Sequence, residues 1–218
     1  MQVSVIAFDL DGTLIDSNPM KRRGFDHVFA EFKDGPEIVA RVLETHRKAF
    51  RTVVIRLVLA QLHAVGALGC EPTDERVFEL AARYNRFCID GASTCPAMPG
   101  VDAMLPVLAR LLPLYVNTAT AHEAVGEVLR RRNWSGHFTR LFGFPPGKVE
   151  NLRAIAADAR ISCDSLLLIG DDDQDFLAAE ECGCPFIGIV SPHAHFSRVP
   201  SRVITDFKEL PAFLERCL

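Results

Sequence analysis

Short apolar runs alternate with longer amphipathic stretches along this chain, and the alternation is interrupted once. Val3-Ser4-Val5-Ile6-Ala7-Phe8 is apolar, rich in β-branched residues and stops at Asp9, which predicts a buried strand. Further strands are predicted at 112–116, 139–142, 165–169, 185–190 and 202–205. Between them apolar positions recur at helical spacing over 101–111, 122–133, 149–159 and 175–182. Strand and helix taking turns from residue 100 onward predicts an α/β fold, a Rossmann-like parallel sheet with helices on both faces. Ligands of such sheets sit beyond the carboxyl ends of the strands, where Asp9, Asn117-Thr118 and Gly170-Asp171 fall.

Residues 16–98 break the pattern. Their periodicity is helical throughout, with breaks at Asp34-Gly35-Pro36 and over 66–72. This predicts an all-helical domain, 16–97, inserted into a core of 1–15 and 98–218, with hinges near 14–18 and 91–99.

Composition narrows the class. The 218 residues are 49% hydrophobic and 24% charged, which argues for a folded globular chain. A net charge of −4 gives no overall pull toward nucleic acid or an anionic membrane. Arg56 and Arg110 cut the longest apolar stretches below the ~18 residues of a membrane span. The start carries no basic residue before its apolar run, so no secretory signal is expected. Seven cysteines, an odd number with no Cys-x-x-Cys pair, fit free thiols in a reducing cytoplasm.

Two acidic clusters carry the chemistry. In Phe8-Asp9-Leu10-Asp11-Gly12-Thr13-Leu14, two carboxylates two residues apart would point the same way from a strand, which like charges resist unless a cation lies between them. Gly12 lets the backbone turn and a ligand approach closely. The second cluster, Gly170-Asp171-Asp172-Asp173-Gln174-Asp175, sets four carboxylates in five positions behind a buried strand. One N-cap accounts for one aspartate, not four. Both clusters point to a divalent, oxygen-ligated cation, Mg²⁺ above others, with one carboxylate left to act as nucleophile.

In this order the motifs resemble the haloacid dehalogenase (HAD) superfamily, in its aspartyl-phosphate phosphohydrolase branch, which includes phosphoglycolate phosphatase-like proteins. The resemblance rests on Asp9-Leu10-Asp11-Gly12-Thr13, Thr118 behind a strand, Lys148, and Gly170-Asp171 with Asp175. Met98-Pro99-Gly100-Val101 and the stretch from Asp175 through Gly183 to Ile189 also match the family. It implies an HAD core with an inserted helical cap, a phosphatase acting on a small phosphorylated metabolite, and Asp9 as nucleophile. Asp11 would protonate the leaving oxygen and then deprotonate the attacking water. Magnesium would be held by Asp9, Asp11 through its backbone carbonyl, and Asp171, with Asp172 and Asp175 both candidates for further support. Lys148 and Thr118 would be catalytic and hold the phosphoryl oxygens. Asn117 and Thr120 compete with Thr118 for its place, because the family more often follows its hydroxyl residue with Asn. A phosphomutase using the same aspartates and a phosphate-binding protein with little turnover are the alternative functions.

The inserted helices add a charge bias. Residues 19–64 hold nine Lys/Arg against five Asp/Glu. Arg47 and Arg51, at i and i+4, are candidate substrate-binding residues on a basic face. Arg56 is expected to be partly buried and paired. Phe8, Phe138, Phe142, Phe176 and Phe186 are expected in the core, and Trp134 at a packed corner. Partners beyond the small-molecule substrate are not expected, and the chain would be a monomer or a homodimer.

Overall fold

The computed structural model describes residues 2–46, 49–192 and 194–215. In chain order, β1 (Val5–Phe8) is followed by four helices: α1 (Asn18–Phe29), α2 (Gly35–Thr45), α3 (Arg51–Ala64) and α4 (Asp74–Thr94). Then come α5 (Val101–Leu111), β2 (Leu114–Ala121), α6 (His122–Arg131), β3 (Arg140–Phe144), α7 (Lys148–Ala159), β4 (Leu166–Gly170) and α8 (Asp173–Cys182). The chain closes with β5 (Phe186–Ile189), β6 (Val203–Ile204) and α9 (Leu210–Leu214). It packs as two compact units, Pro19–Gly91 and the remainder.

The larger unit is a six-stranded sheet in the order β3-β2-β1-β4-β5-β6, parallel at every pairing. The chain is thus α/β with a Rossmann-like parallel sheet. β1 and β4, at the centre, are buried at every residue, as strands covered on both faces must be. Side chains alternate between the two faces. On one, Val5, Ala7, Leu166 and Leu168 pack with Leu152 and Ile155 of α7 and Ala178 of α8. On the other, Phe8 stacks on Phe207, with centroids 5.9 Å apart, and meets Phe138 edge-on at 6.4 Å. Each fully buried side chain of this size stabilises the fold by ~1.5–3 kcal/mol.

Two departures from the sequence pattern have physical causes. β2 runs to Ala121 rather than stopping at Val116, because the polar stretch Asn117–Thr120 stays extended and resumes pairing with β3 after an irregularity. A polar strand end has no hydrophobic signature, so its sequence does not read as a strand. Of the five phenylalanines expected in the core, only Phe8 is fully enclosed; Phe138, Phe142, Phe176 and Phe186 are half-buried. Arginines cover two of these rings: Arg140 lies 5.4 Å over Phe142, and Arg198 4.8 Å over Phe176. Trp134 is buried at its corner, with Arg132 over the ring at 4.4 Å.

The helical unit buries Phe25, Phe29, Val39, Val58, Leu62 and Leu80, among others, in a core of its own. Its helices break near 34 and across 65–73, and also at His46 and over 49–50, where no Gly or Pro marks the sequence. The hinge segments 14–18 and 92–98 belong to the sheet unit. They pair with one another through Asp16 N–H to the Pro96 carbonyl and Met98 N–H to the Leu14 carbonyl, 3.0 Å each, and through an antiparallel bridge of Ile15 with Ala97. The division between the units falls after Asn18 and after Gly91. Among the described residues no helix is long and apolar enough to cross a membrane, and the described cysteines are free thiols.

Candidate active site

The site is assembled from the carboxyl ends of the three central strands. Asp9 directly follows β1, its N–H still bonded to the Ile169 carbonyl at 2.9 Å, so its position is fixed by the sheet. The chain then turns at Gly12, whose φ of 82° suits a residue without a Cβ. A Cβ there would lie 2.1 Å from Asp171 Oδ2, so the same glycine clears room for the carboxylate that ends β4. Gly170 does this for Asp175: a Cβ on it would sit 2.3 Å from the Asp175 carboxyl carbon. The backbone thus brings three acids from two distant segments together. Asp9, Asp171 and Asp175 are all buried, and each offers an oxygen within 4.8 Å of the others.

Among the described residues, the cation that reaches this cluster is Lys148. Lys148 opens α7, and its ammonium lies 2.7 Å from Asp175 Oδ1 and 3.4 Å from Asp9 Oδ1, with the side chain 9% exposed. Asn117, buried within β2, donates from Nδ2 to the Lys148 carbonyl at 3.1 Å and so ties the start of α7 to the sheet. Burial alone would lower the Lys148 ammonium. The carboxylates of Asp175, Asp9 and Asp172 outweigh it and hold the group well above its ordinary range, so it stays charged at neutral pH. Burial pushes the Asp175 carboxyl up, and Lys148 pulls against that.

Three buried carboxylates against one ammonium leave a formal excess of two negative charges. Two unit charges ~4 Å apart repel by about 4 kcal/mol even at an effective dielectric of ~20. Asp175 Oδ2 is also buried without a hydrogen-bond partner among the described residues. The donor set is all oxygen, which suits a hard divalent cation rather than zinc. The residues present therefore fit a magnesium-like ion.

The other residues of the sheet unit singled out from sequence stand outside the trio. Asp11 stands outside the buried trio, accepting hydrogen bonds from Ser17 and, at 2.6 Å, from Thr120. Thr118 is buried, and its hydroxyl accepts from the Thr120 N–H at 3.3 Å. Asp172 caps α8, accepting from the N–H groups of Gln174 at 2.9 Å and Asp175 at 3.2 Å, so its side chain is absent from the trio. Asp173 binds the loop after β5, through the Ser197 N–H at 2.8 Å and His195 at 3.5 Å. The four clustered aspartates thus divide their work: one cap, one loop anchor and two members of the acidic trio. Arg51 opens α3 in the helical unit. Arg47 lies outside the described residues. Ser17 and the link of Asn117 to Lys148 were not anticipated. Adjacency of β1 and β2 in the sheet is the only signal that would have brought Thr120 near Asp11, 109 positions away.

A family model for haloacid dehalogenase-like hydrolases matches residues 3–183. The phosphoglycolate phosphatase of Pasteurella multocida is 27% identical, with 98% of this chain and 99% of that protein covered. Among solved structures, a predicted phosphoglycolate phosphatase of Haemophilus somnus superposes with a TM-score of 0.76 at 18% identity, covering 98% of both chains. An HAD-hydrolase of Bacillus subtilis, YfnB, bound to magnesium, gives 0.73 at 17% identity over 99% of this chain and 100% of that one. At these identities the two superpositions speak for the fold.

Proposed function

We propose a specific activity for this chain, which belongs to the haloacid dehalogenase-like hydrolase family and is an enzyme: magnesium-dependent hydrolysis of a small phosphorylated metabolite through an aspartyl-phosphate on Asp9. The observation that carries this reading is the buried Asp9 carboxylate, fixed at a strand end, 3.4 Å from a buried ammonium and beside Asp171 and Asp175. Asp9 attacks phosphorus, and the bond to the leaving oxygen breaks as Asp11 delivers a proton to it. Asp11 then takes a proton from water, which attacks the aspartyl-phosphate, releases inorganic phosphate and regenerates Asp9. Lys148 and the Thr118 hydroxyl hold the transferring oxygens, the first as a charge and the second as a donor. Asp175 holds Lys148 in place at 2.7 Å. Asp9 and Asp171, with the Asp11 backbone carbonyl, would hold the magnesium ion. Bound there, it supplies the positive charge that lets an anionic carboxylate approach an anionic phosphate.

The name shared by the curated relatives makes phosphoglycolate the first compound to test, followed by phosphosugars. The test is phosphate release from such a panel, with magnesium, with EDTA and with Asp9→Asn. Release that EDTA stops, magnesium restores, and Asp9→Asn cuts by at least ~10³-fold supports the reading. Release that survives in the Asp9→Asn protein defeats the covalent step, and indifference to EDTA defeats the metal.

A further inference from the structure

Asp11 accepts from two hydroxyls, one on each oxygen. Ser17 donates to Oδ1, and Thr120 donates to Oδ2 at 2.6 Å. The two hydroxyls come from opposite sides in the chain. Ser17, 2% exposed, lies in the segment behind β1 whose neighbour Asp16 is bonded to Pro96. Thr120 lies in the extended polar end of β2, its N–H on the Thr118 hydroxyl at 3.3 Å. Its carbonyl packs so closely on β3 that a Cβ at Gly143 would fall 2.6 Å from it. Both hydroxyls are therefore carried by backbone that the sheet unit holds.

We propose that Thr120 and Ser17 are positioning residues for Asp11, fixing its carboxyl plane toward the oxygen it must protonate. This rests on the hydrolase reading above, in which Asp11 is the acid. The terminal torsion of an aspartate is broad, so one hydrogen bond leaves the group free to swing and two on different oxygens remove that freedom. Hydroxyls suit the task for a second reason. Each can donate to a carboxylate or accept from a carboxylic acid, so orientation is held without dictating whether the proton is present.

General acid catalysis matters in proportion to how poorly the leaving group departs unaided. Nitrophenolate leaves readily, whereas an alkoxide needs the proton. The test compares kcat/KM for p-nitrophenyl phosphate and for glycerol 2-phosphate, since this ratio reports transfer to Asp9 and not the later hydrolysis. Thr120→Val, close in volume, is expected to lower the alkyl value about tenfold more than the aryl value, leaving inhibition by inorganic phosphate unchanged. Thr120→Ser should restore the alkyl value, and Ser17→Ala should give the same selective loss by an independent route. Equal losses on both esters, or none, overturn the proposal, as does a Thr120→Ser protein no better than Thr120→Val. A wild-type protein that cleaves neither ester defeats the hydrolase reading first, and this inference with it.

Discussion

The helical unit and the strand ends of the sheet unit both pair positive with negative side chains, but at different depths. In the helical unit Arg22 meets Asp26 at 3.4 Å, Arg76 meets Glu79 at 2.6 Å, and Arg83 meets Glu31 at 2.6 Å, with every partner at least a third exposed. At the strand ends Lys148 meets Asp175 at similar distance, but the two side chains are 9% and 0% exposed. Distance does not separate these pairs; solvent does. An exposed pair trades water for a partner at little net gain, about 0–1 kcal/mol. A buried pair has already given up its water, so removing either member strands the other.

Lys148→Met tests the buried side of that contrast and should give the largest effect on stability. It leaves Asp9 and Asp175 facing each other without their cation, and the expected loss is about 3–5 kcal/mol in urea denaturation with EDTA present. Magnesium in excess should recover part of it, because an ion among Asp9, Asp171 and Asp175 supplies charge at the same place. A loss under ~1 kcal/mol would mean that water reaches this pair as freely as it reaches those of the helical unit.

The two regions also differed in how well they could be read from sequence. The sheet unit is legible because its central strands are continuous apolar runs that end abruptly on charge: Phe8 to Asp9, and Ile169-Gly170 to Asp171. That same abruptness marks the site. What escaped is what depends on three-dimensional approach. Thr120 falls between the strand predicted to end at 116 and the helix predicted from 122, because nothing in Asn117-Thr118-Ala119-Thr120 is hydrophobic enough to announce a strand, and its partner Asp11 is far away in the chain. Arg56 was expected to be partly buried because apolar residues flank it, yet at helical spacing its flanks face inward while it faces water, 47% exposed and paired with Asp74. The division of labour within 171–175 escaped for a related reason. Four identical side chains in five positions cannot be told apart until the start of α8 is known to the residue.

Asp172 gives a finer test of that division, since sequence left it a candidate for the metal and the structure uses it as a cap. Asp172→Ser keeps a good capping oxygen and removes the carboxylate. Its stability should stay within ~0.5 kcal/mol of wild type, and magnesium affinity by calorimetry should change by less than about twofold. Asp172→Ala, which loses the cap as well, should cost about 1 kcal/mol. A tenfold fall in affinity for the serine variant would put Asp172 among the ligands and leave the capping assignment incomplete.

The smallest expected effect belongs to Arg56→Ala, and it is the sharpest check on the exposed side of the comparison. Arg56 contacts Asp74, whose side chain is 74% exposed. Two features argue for a weak interaction. Both groups keep much of their hydration, and Asp74 lies in the first turn of α4, where the helix dipole already favours its negative charge without any arginine. Removing Arg56 therefore returns Asp74 to a favourable setting rather than stranding it, and the loss should be no more than about 0.5 kcal/mol, vanishing near 1 M salt as the Debye length shrinks to ~3 Å. A loss of several kcal/mol that persists in salt would show that depth is not what separates the two regions.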